Sequence, residues 1–452
     1  MQMRAFGIAL LSAGVASAAP ETPSSAEATI LATDDVYDCA ALGGGSGSGS
    51  PVWISATAGG LVVGKRVLTA LDGLPDTRVE RLAVEGNRIL ATTRKGSVYV
   101  SWPALAVSQA PGRTVPPPPP APVAFLGRAI VRTQHSGANG TCFATDQGLH
   151  LAPETRTDKK GIALPSANVA ALAEDGDALF IGTFDAGIFR RSGNGELVAI
   201  DAKNPNINAL AWDKDRRVLW VGTARGLVRC DNGANCTRVG DAAGVHAIAL
   251  LDGGSVVAGG EGTVSFYGPT GAKENALQRK QGLPFRAVWA LAVGPDKTLY
   301  IGTTSGLFYA KLASLRTAAT AEATGKVAFK RVSMVSGDLP DDWVTALAAE
   351  GSALHVGTYN AGIVSFKREG DALRKNSAHP SLGYVNPAGI TVLRSGELAV
   401  STMSGLQVGR SAEAGVFRRV PTLGEDVTSV LPTSGGRTWI ATRRGVMGVR
   451  AL

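Results

Sequence analysis

The chain has 452 residues, with 57 glycines, 44% hydrophobic and only 6% aromatic residues, and a formal net charge of +8 at pH 7. This composition fits many short strands joined by tight turns and argues against long helices. The basic residues stand singly instead of forming a stripe interleaved with aromatics, which argues against nucleic acid; a mild attraction to anionic surfaces is the most the charge supports.

Residues 1–18 read as a leader. Arg4 precedes an apolar stretch from Ala5 to Val15, and Ala16-Ser17-Ala18 follows as a small-x-small cleavage signal, predicting removal after Ala18 and export to the periplasm or beyond. No cysteine follows directly to carry lipid, and no later run is long and apolar enough to cross a bilayer. The mature part, 19–452, is therefore expected to be a soluble monomer without direct membrane insertion. Residues 26–35, AEATILATDD, predict a spare strand.

A short phrase then recurs. Weak copies occupy Trp53 to Leu61, Ile89 to Val98 and Cys142 to Leu149. Between the second and third, an insertion over about 103–124 holds the run Pro116 to Pro120, which cannot pair in a sheet. Clean copies follow: LFIGTFDAGI at Leu179 to Ile188, LWVGTARGL at Leu219 to Leu227, LYIGTTSGL at Leu299 to Leu307 and LHVGTYNAGI at Leu354 to Ile363. Val256 to Val264, Leu398 to Leu406 and Trp439 to Val446 complete the series, and a second insertion spans about 311–326. The turn glycines, from Gly60 to Gly445, recur about every 43 residues, within the propeller range of about 40 to 50.

The unit from Ile207 to Val239 reads as four short strands joined by hairpins. Such a sheet has two apolar faces and is stable only when like sheets stack on both. The expectation is an all-β chain forming a single closed β-propeller of four-stranded antiparallel blades. About ten units are counted; eight or nine result if the two weak amino-terminal copies are merged or decorative, and two smaller rings are the other possibility. The amino-terminal strand is expected to complete the last blade and close the ring. Ala171, Ala209, Ala247, Ala290 and Ala346 would lie near the axis, and Phe180, Trp220, Tyr300 and Trp439 would fill the wider gaps between sheets.

Four cysteines in an exported chain are expected to be oxidised at least in part. Cys230 and Cys236 flank a turn-forming stretch and predict a disulfide that clips one hairpin. Cys39 and Cys142 have less to pair them by position, and Cys142 stands where other units carry an aromatic, so a small buried filler is its alternative role. No spacing fits a metal site, and no cofactor is expected.

Two surfaces could bind. The turns between second and third strands share a rim with the connections into the next unit, giving Phe184, Asp185, Arg225, Tyr359, Asn360, Arg443 and Arg444 as candidates. Phe184/Asp185 and Tyr359/Asn360 stand out because their turns are one residue longer. At the channel mouth, Glu80, Asn208, His246 and Trp289 occupy one equivalent position, shared with Thr345, Thr391 and Thr428. His355 holds the slot of Trp220 and Tyr300 and reads as a packed core histidine. No catalytic motif is present, so no catalytic residue is assigned.

LWVGTARGL, LYIGTTSGL and the leader GDLPDDWVTAL resemble the two-component regulator propeller repeat, over about Val79 to Val449. The resemblance implies a β-propeller of the kind used as periplasmic sensor regions of bacterial hybrid histidine kinases that detect carbohydrates. This chain departs from that architecture in lacking a transmembrane segment, a kinase and a cytoplasmic output. The expected function is an exported non-enzymatic recognition or scaffold protein whose partner, through the rim, is a carbohydrate or an envelope protein. The alternative is a propeller-based lyase or hydrolase acting on anionic glycans.

Overall fold

The computed structural model describes the chain apart from residues 1–28, 31–34, 43–51, 65, 118–123, 127–128, 138–139, 147, 153–163, 202–205, 241–242, 280–282, 284–286, 320–326, 413–414 and 451. The expected leader, most of the expected strand over 26–35 and parts of both expected insertions lie outside the described residues. What is described is all-β in architecture, built of ten four-stranded antiparallel sheets. In chain order they are sheet 1 (36–68), sheet 2 (79–109), sheet 3 (124–152), sheet 4 (169–201), sheet 5 (207–239), sheet 6 (245–277), sheet 7 (288–332), sheet 8 (344–379), sheet 9 (385–420) and sheet 10 (427–449). Sheet 10 takes its fourth strand from the other end of the chain: Thr29 pairs with Gly448 and Ile30 with Met447.

The recurring phrase is explained by three contacts. Its threonine, at the end of the second strand, donates its hydroxyl to the carbonyl of the turn glycine, as in Thr223 to Gly226 and Thr303 to Gly306, both 2.8 Å. The same oxygen accepts a turn N–H, from Arg225 or Ser305. Gly226 and Gly306 have φ of 117° and 108°, a conformation that side chains resist. The phrase's other glycine faces the next sheet. A Cβ on Gly182, Gly222, Gly259, Gly302 or Gly357 would lie 2.4–3.0 Å from the β-branched residue that opens the following sheet. Each such glycine is the hole into which its neighbour's valine or isoleucine fits.

Neighbouring sheets pack through their first strands, in two groups. In sheets 4 to 10 each packs on the next, and the first strand of sheet 10 packs in turn on that of sheet 4. Phe180 and Trp220 are 0% exposed between sheets 4 and 5 and between 5 and 6, while Trp439 and Val446 of sheet 10 share a core with Val169, Leu172 and Ile181 of sheet 4. Sheets 1 to 3 instead stack in the order 3, 1, 2. The packing order thus departs from the single succession of ten that equal repeat units suggest, and where sheet 3 meets sheet 1 the disulfide Cys39–Cys142 joins them across a separation of 103 residues. Cys230–Cys236 clips the last hairpin of sheet 5, as its spacing predicts. Among the described residues no helix is long and apolar enough to cross a membrane.

Candidate functional site

In every sheet but sheet 3 the first strand carries a β-bulge at the same place, just after its opening residue; in sheet 3 the bulge falls in the second strand, between Val131 and Thr133. A bulge re-aims one side chain out of the ladder. Here it turns that residue towards the channel mouth, or onto the neighbouring sheet. In sheets 5, 8, 9 and 10 the bulged residue latches its neighbour by donating to the carbonyl of the opening residue there. The bonds run from Asn208 to Val245 (2.9 Å), Thr345 to Val385 (2.7 Å), Asn386 to Val427 (2.6 Å) and Thr428 to Val169 (2.8 Å). Thr391 is not in this series. In sheet 9 the bulge is widened between Val385 and Ile390, so Asn386 takes the equivalent place and Thr391 bonds to the Val430 carbonyl.

A cavity of about 220 Å³ lies where the first strands of sheets 4 to 10 converge, with Asn208, His246, Trp289 and Thr428 in its wall. Ala171, Ala209, Ala247 and Ala290 line it too, the small residues that proximity to the axis requires. Glu80 belongs to sheet 2, where Arg78 and Arg94 pair with it.

The latch gives way to aromatic rings on one arc. His246 of sheet 6 stacks on Trp289 of sheet 7 (4.7 Å between centroids, 17° between planes). Trp289 meets Trp343 at 5.7 Å, Trp343 stacks on Tyr359 at 4.1 Å and 18°, and Tyr359 meets Tyr384 edge-on at 5.4 Å. Five rings therefore run across four sheets. The carboxylate of Asp341 fixes the centre of this run, accepting the backbone N–H of Trp343 at 3.0 Å and that of Asn360 at 2.9 Å. At its end Glu261 lies 3.2 Å from His246 Nε2. Met334, Val335, Tyr384 and Met403 are 53%, 90%, 45% and 40% exposed, and all belong to turns or connections on this rim.

The structure thus joins Tyr359 of the rim candidates to His246 and Trp289 of the mouth candidates. Sequence reasoning missed Trp343 and Tyr384; it placed Glu261 among the variable rim residues and read Asp341 as part of a solvated turn. A signal existed for the two it missed: Trp343 and Tyr384 both stand directly before the valine that opens a first strand.

Asn360 sits beside Tyr359 with its N–H on Asp341, and the other rim candidates are not part of the aromatic run. Arg443 donates to Asn168 Oδ1 at 2.7 Å, pairs with Asp426 at 3.4 Å and lies over Phe184, which is 41% exposed. These contacts make Phe184 and Arg443 part of the joint between sheets 10 and 4. Arg444 pairs with Asp76 at 3.6 Å, and Lys95 of sheet 2 with Glu425 at 2.8 Å, so the amino-terminal sheets touch the rim there. Asp185 and Arg225 are exposed turn residues. His355 is a core residue, 4% exposed and bonded to Ser365 Oγ at 2.8 Å; burial lowers its pKa to about 4. Among the described residues no three His, Cys, Asp or Glu side chains are grouped to hold a metal.

No family model matches the sequence, and no curated protein matches it. In fold the chain is similar to PorZ, a bacterial surface component of the type-IX secretion system of Porphyromonas gingivalis, with 14% identity and a TM-score of 0.52 over 92% of this chain and 68% of that one. It is also similar to the extracellular domain of a hybrid two-component system from B. thetaiotaomicron, with 14% identity and a TM-score of 0.50 over 88% of this chain and 60% of that one. A chain of the mitotic checkpoint complex matches 66% of this chain over 96% of its own length, with 15% identity and a TM-score of 0.51. At these identities the likeness is one of fold, and it defines the class as β-propeller.

Proposed function

We propose that this chain is an exported, non-enzymatic recognition or scaffold propeller, periplasmic or secreted, that binds an envelope protein through the aromatic arc of its rim. In this reading sheets 4 to 10 form a seven-bladed ring closed between sheets 10 and 4, and sheets 1 to 3 are an appendage. Two disulfides support an oxidising compartment.

The observation that carries the choice of partner is how the five rings use their faces. A pyranose needs a free flat ring face, whereas here His246 and Trp289, and Trp343 and Tyr359, each cover one face of the other at 17° and 18°. The faces and edges left for a partner are set beside exposed Met334, Val335 and Met403. Aromatic residues and methionine around a partly exposed apolar centre suit a protein surface better than a glycan. The enzyme alternative rests on the His246–Glu261 pair, whose atoms lie within reach of acid–base chemistry.

The test compares the full chain with a Trp343→Ala/Tyr384→Ala variant against envelope extracts and a panel of envelope polysaccharides. Recovery of a defined envelope protein by the parent and its loss from the variant is the expected result. Polysaccharide retention lost in the same variant would move the reading to carbohydrate. Product release abolished by His246→Gln or Glu261→Gln would overturn it in favour of an enzyme.

A further inference from the structure

Sheet 7 differs from the other units in what joins its third and fourth strands. Where sheet 5 uses a tight turn, sheet 7 inserts helix α1 (Leu312–Ala319) between Gly306–Lys311 and Lys330–Val332. The helix is anchored: Leu315 is 0% exposed in a core shared with Phe266 and Phe308. Beside it lies a cavity of about 290 Å³ between sheets 7 and 8, at the end of the strands opposite the aromatic arc.

We propose that this cavity binds a small organic anion, a carboxylate or phosphate monoester carried on a flat apolar body. Its apolar wall is built by Tyr300 and Tyr309, whose rings meet at 5.8 Å, with Ala310 and Val327. Its polar wall carries Lys311, Lys330 and Arg368. Two carboxylates lie within reach of these cations. Asp296 is engaged by Lys311, by Arg368 and by the Thr298 hydroxyl at 2.7 Å. Asp371 is 72% exposed and stands 3.9 Å from Lys330 and 4.0 Å from Lys311. Three cations against two acids leave one positive charge in excess. Arg368 has five N–H donors and spends one nitrogen on Asp296, which leaves donors for an incoming anion. Burial raises the pKa of Tyr300 and of Tyr309, so both hydroxyls stay protonated. Tyr300 can donate, Tyr309 already donates to the Asp371 carbonyl at 3.5 Å, and neither adds negative charge to the cavity.

This site is independent of the aromatic arc, and its test is direct binding. The full chain is titrated calorimetrically with phenyl phosphate, benzoate, inorganic phosphate and phenol. At least one of the two organic anions should bind at least tenfold more tightly than inorganic phosphate or phenol. Lys330→Gln, at an exposed position that leaves folding intact, and Arg368→Gln should each weaken that binding about tenfold. No binding of either organic anion at millimolar concentration, or affinity unchanged in both variants, would overturn the proposal. Equal affinity for inorganic phosphate would overturn the requirement for an apolar body.

Discussion

Sheets 4 to 10 and sheets 1 to 3 are built from one repeat, yet they solve the problem of the second face differently. In sheet 4, Phe180 turns to sheet 5 while Leu179 and Ile181 turn to sheet 10, so both faces are apolar and covered. Sheet 2 sends Leu82, Ile89, Ala91, Val98 and Val100 into a core with sheet 1. Its other face buries Leu90 and otherwise carries Thr92 bonded to Ser97 at 3.0 Å and Tyr99 bonded to Glu85 at 3.0 Å. Sheet 3 does likewise, placing Cys142 and Ala144 inward and Ser136 bonded to Thr141 outward. Sheet 1, between them, ties both: Asp38 accepts from Leu82 N–H and from the Thr133 hydroxyl, and Tyr37 is sandwiched by Arg78 and Arg132 at 4.4 and 4.5 Å. The lesson is that a polar second face ends a stack, as capping repeats do in solenoids. An apolar second face requires another sheet, which the packing of sheets 4 to 10 on one another supplies.

The joint between sheets 3 and 1 has little core beyond Val36, Cys39, Cys142 and Ala144, so its covalent tie should matter most. Removing Cys39–Cys142 as a Cys39→Ser/Cys142→Ser pair opens a loop of 103 residues and should cost about 4 to 5 kcal/mol. Removing Cys230–Cys236, separated by 6 residues, should cost roughly 2 kcal/mol. Calorimetric unfolding of both double variants checks this, and the stack should melt as an earlier transition once its tie is lost. Equal cost for the two disulfides would mean that the stack draws its stability from the seven-sheet body.

A smaller effect belongs to sheets 4 to 10. His355 fills a slot between sheets that Trp220 and Tyr300 fill elsewhere, and its folded-state pKa of about 4 lies below the ordinary value of 6.5. The unfolded chain therefore takes up the proton first. Stability from the neutral ring is fully present above pH 6.5 and is lost as pH falls towards 4, by about 3 kcal/mol in all. Denaturant unfolding at pH 7 and pH 4.5 should show a smaller pH penalty for His355→Tyr than for the parent. Parallel profiles would place the ring in contact with water.

How far these differences could be read beforehand depended on the range of the interaction. The hairpins, the turn glycines, the Cys230–Cys236 clip, the axial alanines and the packed His355 were legible because each follows from residues within one unit. The pairing of Cys39 with Cys142 was not, since it depends on sheet 3 packing behind sheet 1, which no local pattern encodes. The polar outer faces of sheets 2 and 3 were visible only as weak copies of the phrase. The aromatic arc was partly legible: equivalence between units found His246 and Trp289 and the longer turn found Tyr359, whereas Trp343 and Tyr384 sit two residues before the equivalent position, ahead of the bulge. Thr391 was misplaced because an insertion between Val385 and Ile390 shifts the count.

The finest distinction between the two regions is whether the joint from sheet 10 to sheet 4 equals any other joint in the cycle. Thr428 bonds across it to the Val169 carbonyl at 2.8 Å, as Thr345 bonds from sheet 8 to the Val385 carbonyl at 2.7 Å. Both threonines are buried, 7% and 1% exposed, so replacing either by the isosteric valine deletes one hydrogen bond and strands one carbonyl. Each change should cost about 1 to 2 kcal/mol. If sheets 10 and 4 are neighbours of the ordinary kind, the two penalties measured by chemical denaturation will agree within about 0.5 kcal/mol. A joint that opens in solution has already exposed the Val169 carbonyl to water, and Thr428→Val would then be nearly silent while Thr345→Val kept its full cost. That pattern would make the seven sheets an open arc, and their two end faces would have to answer the same question that sheets 2 and 3 answer with polar side chains.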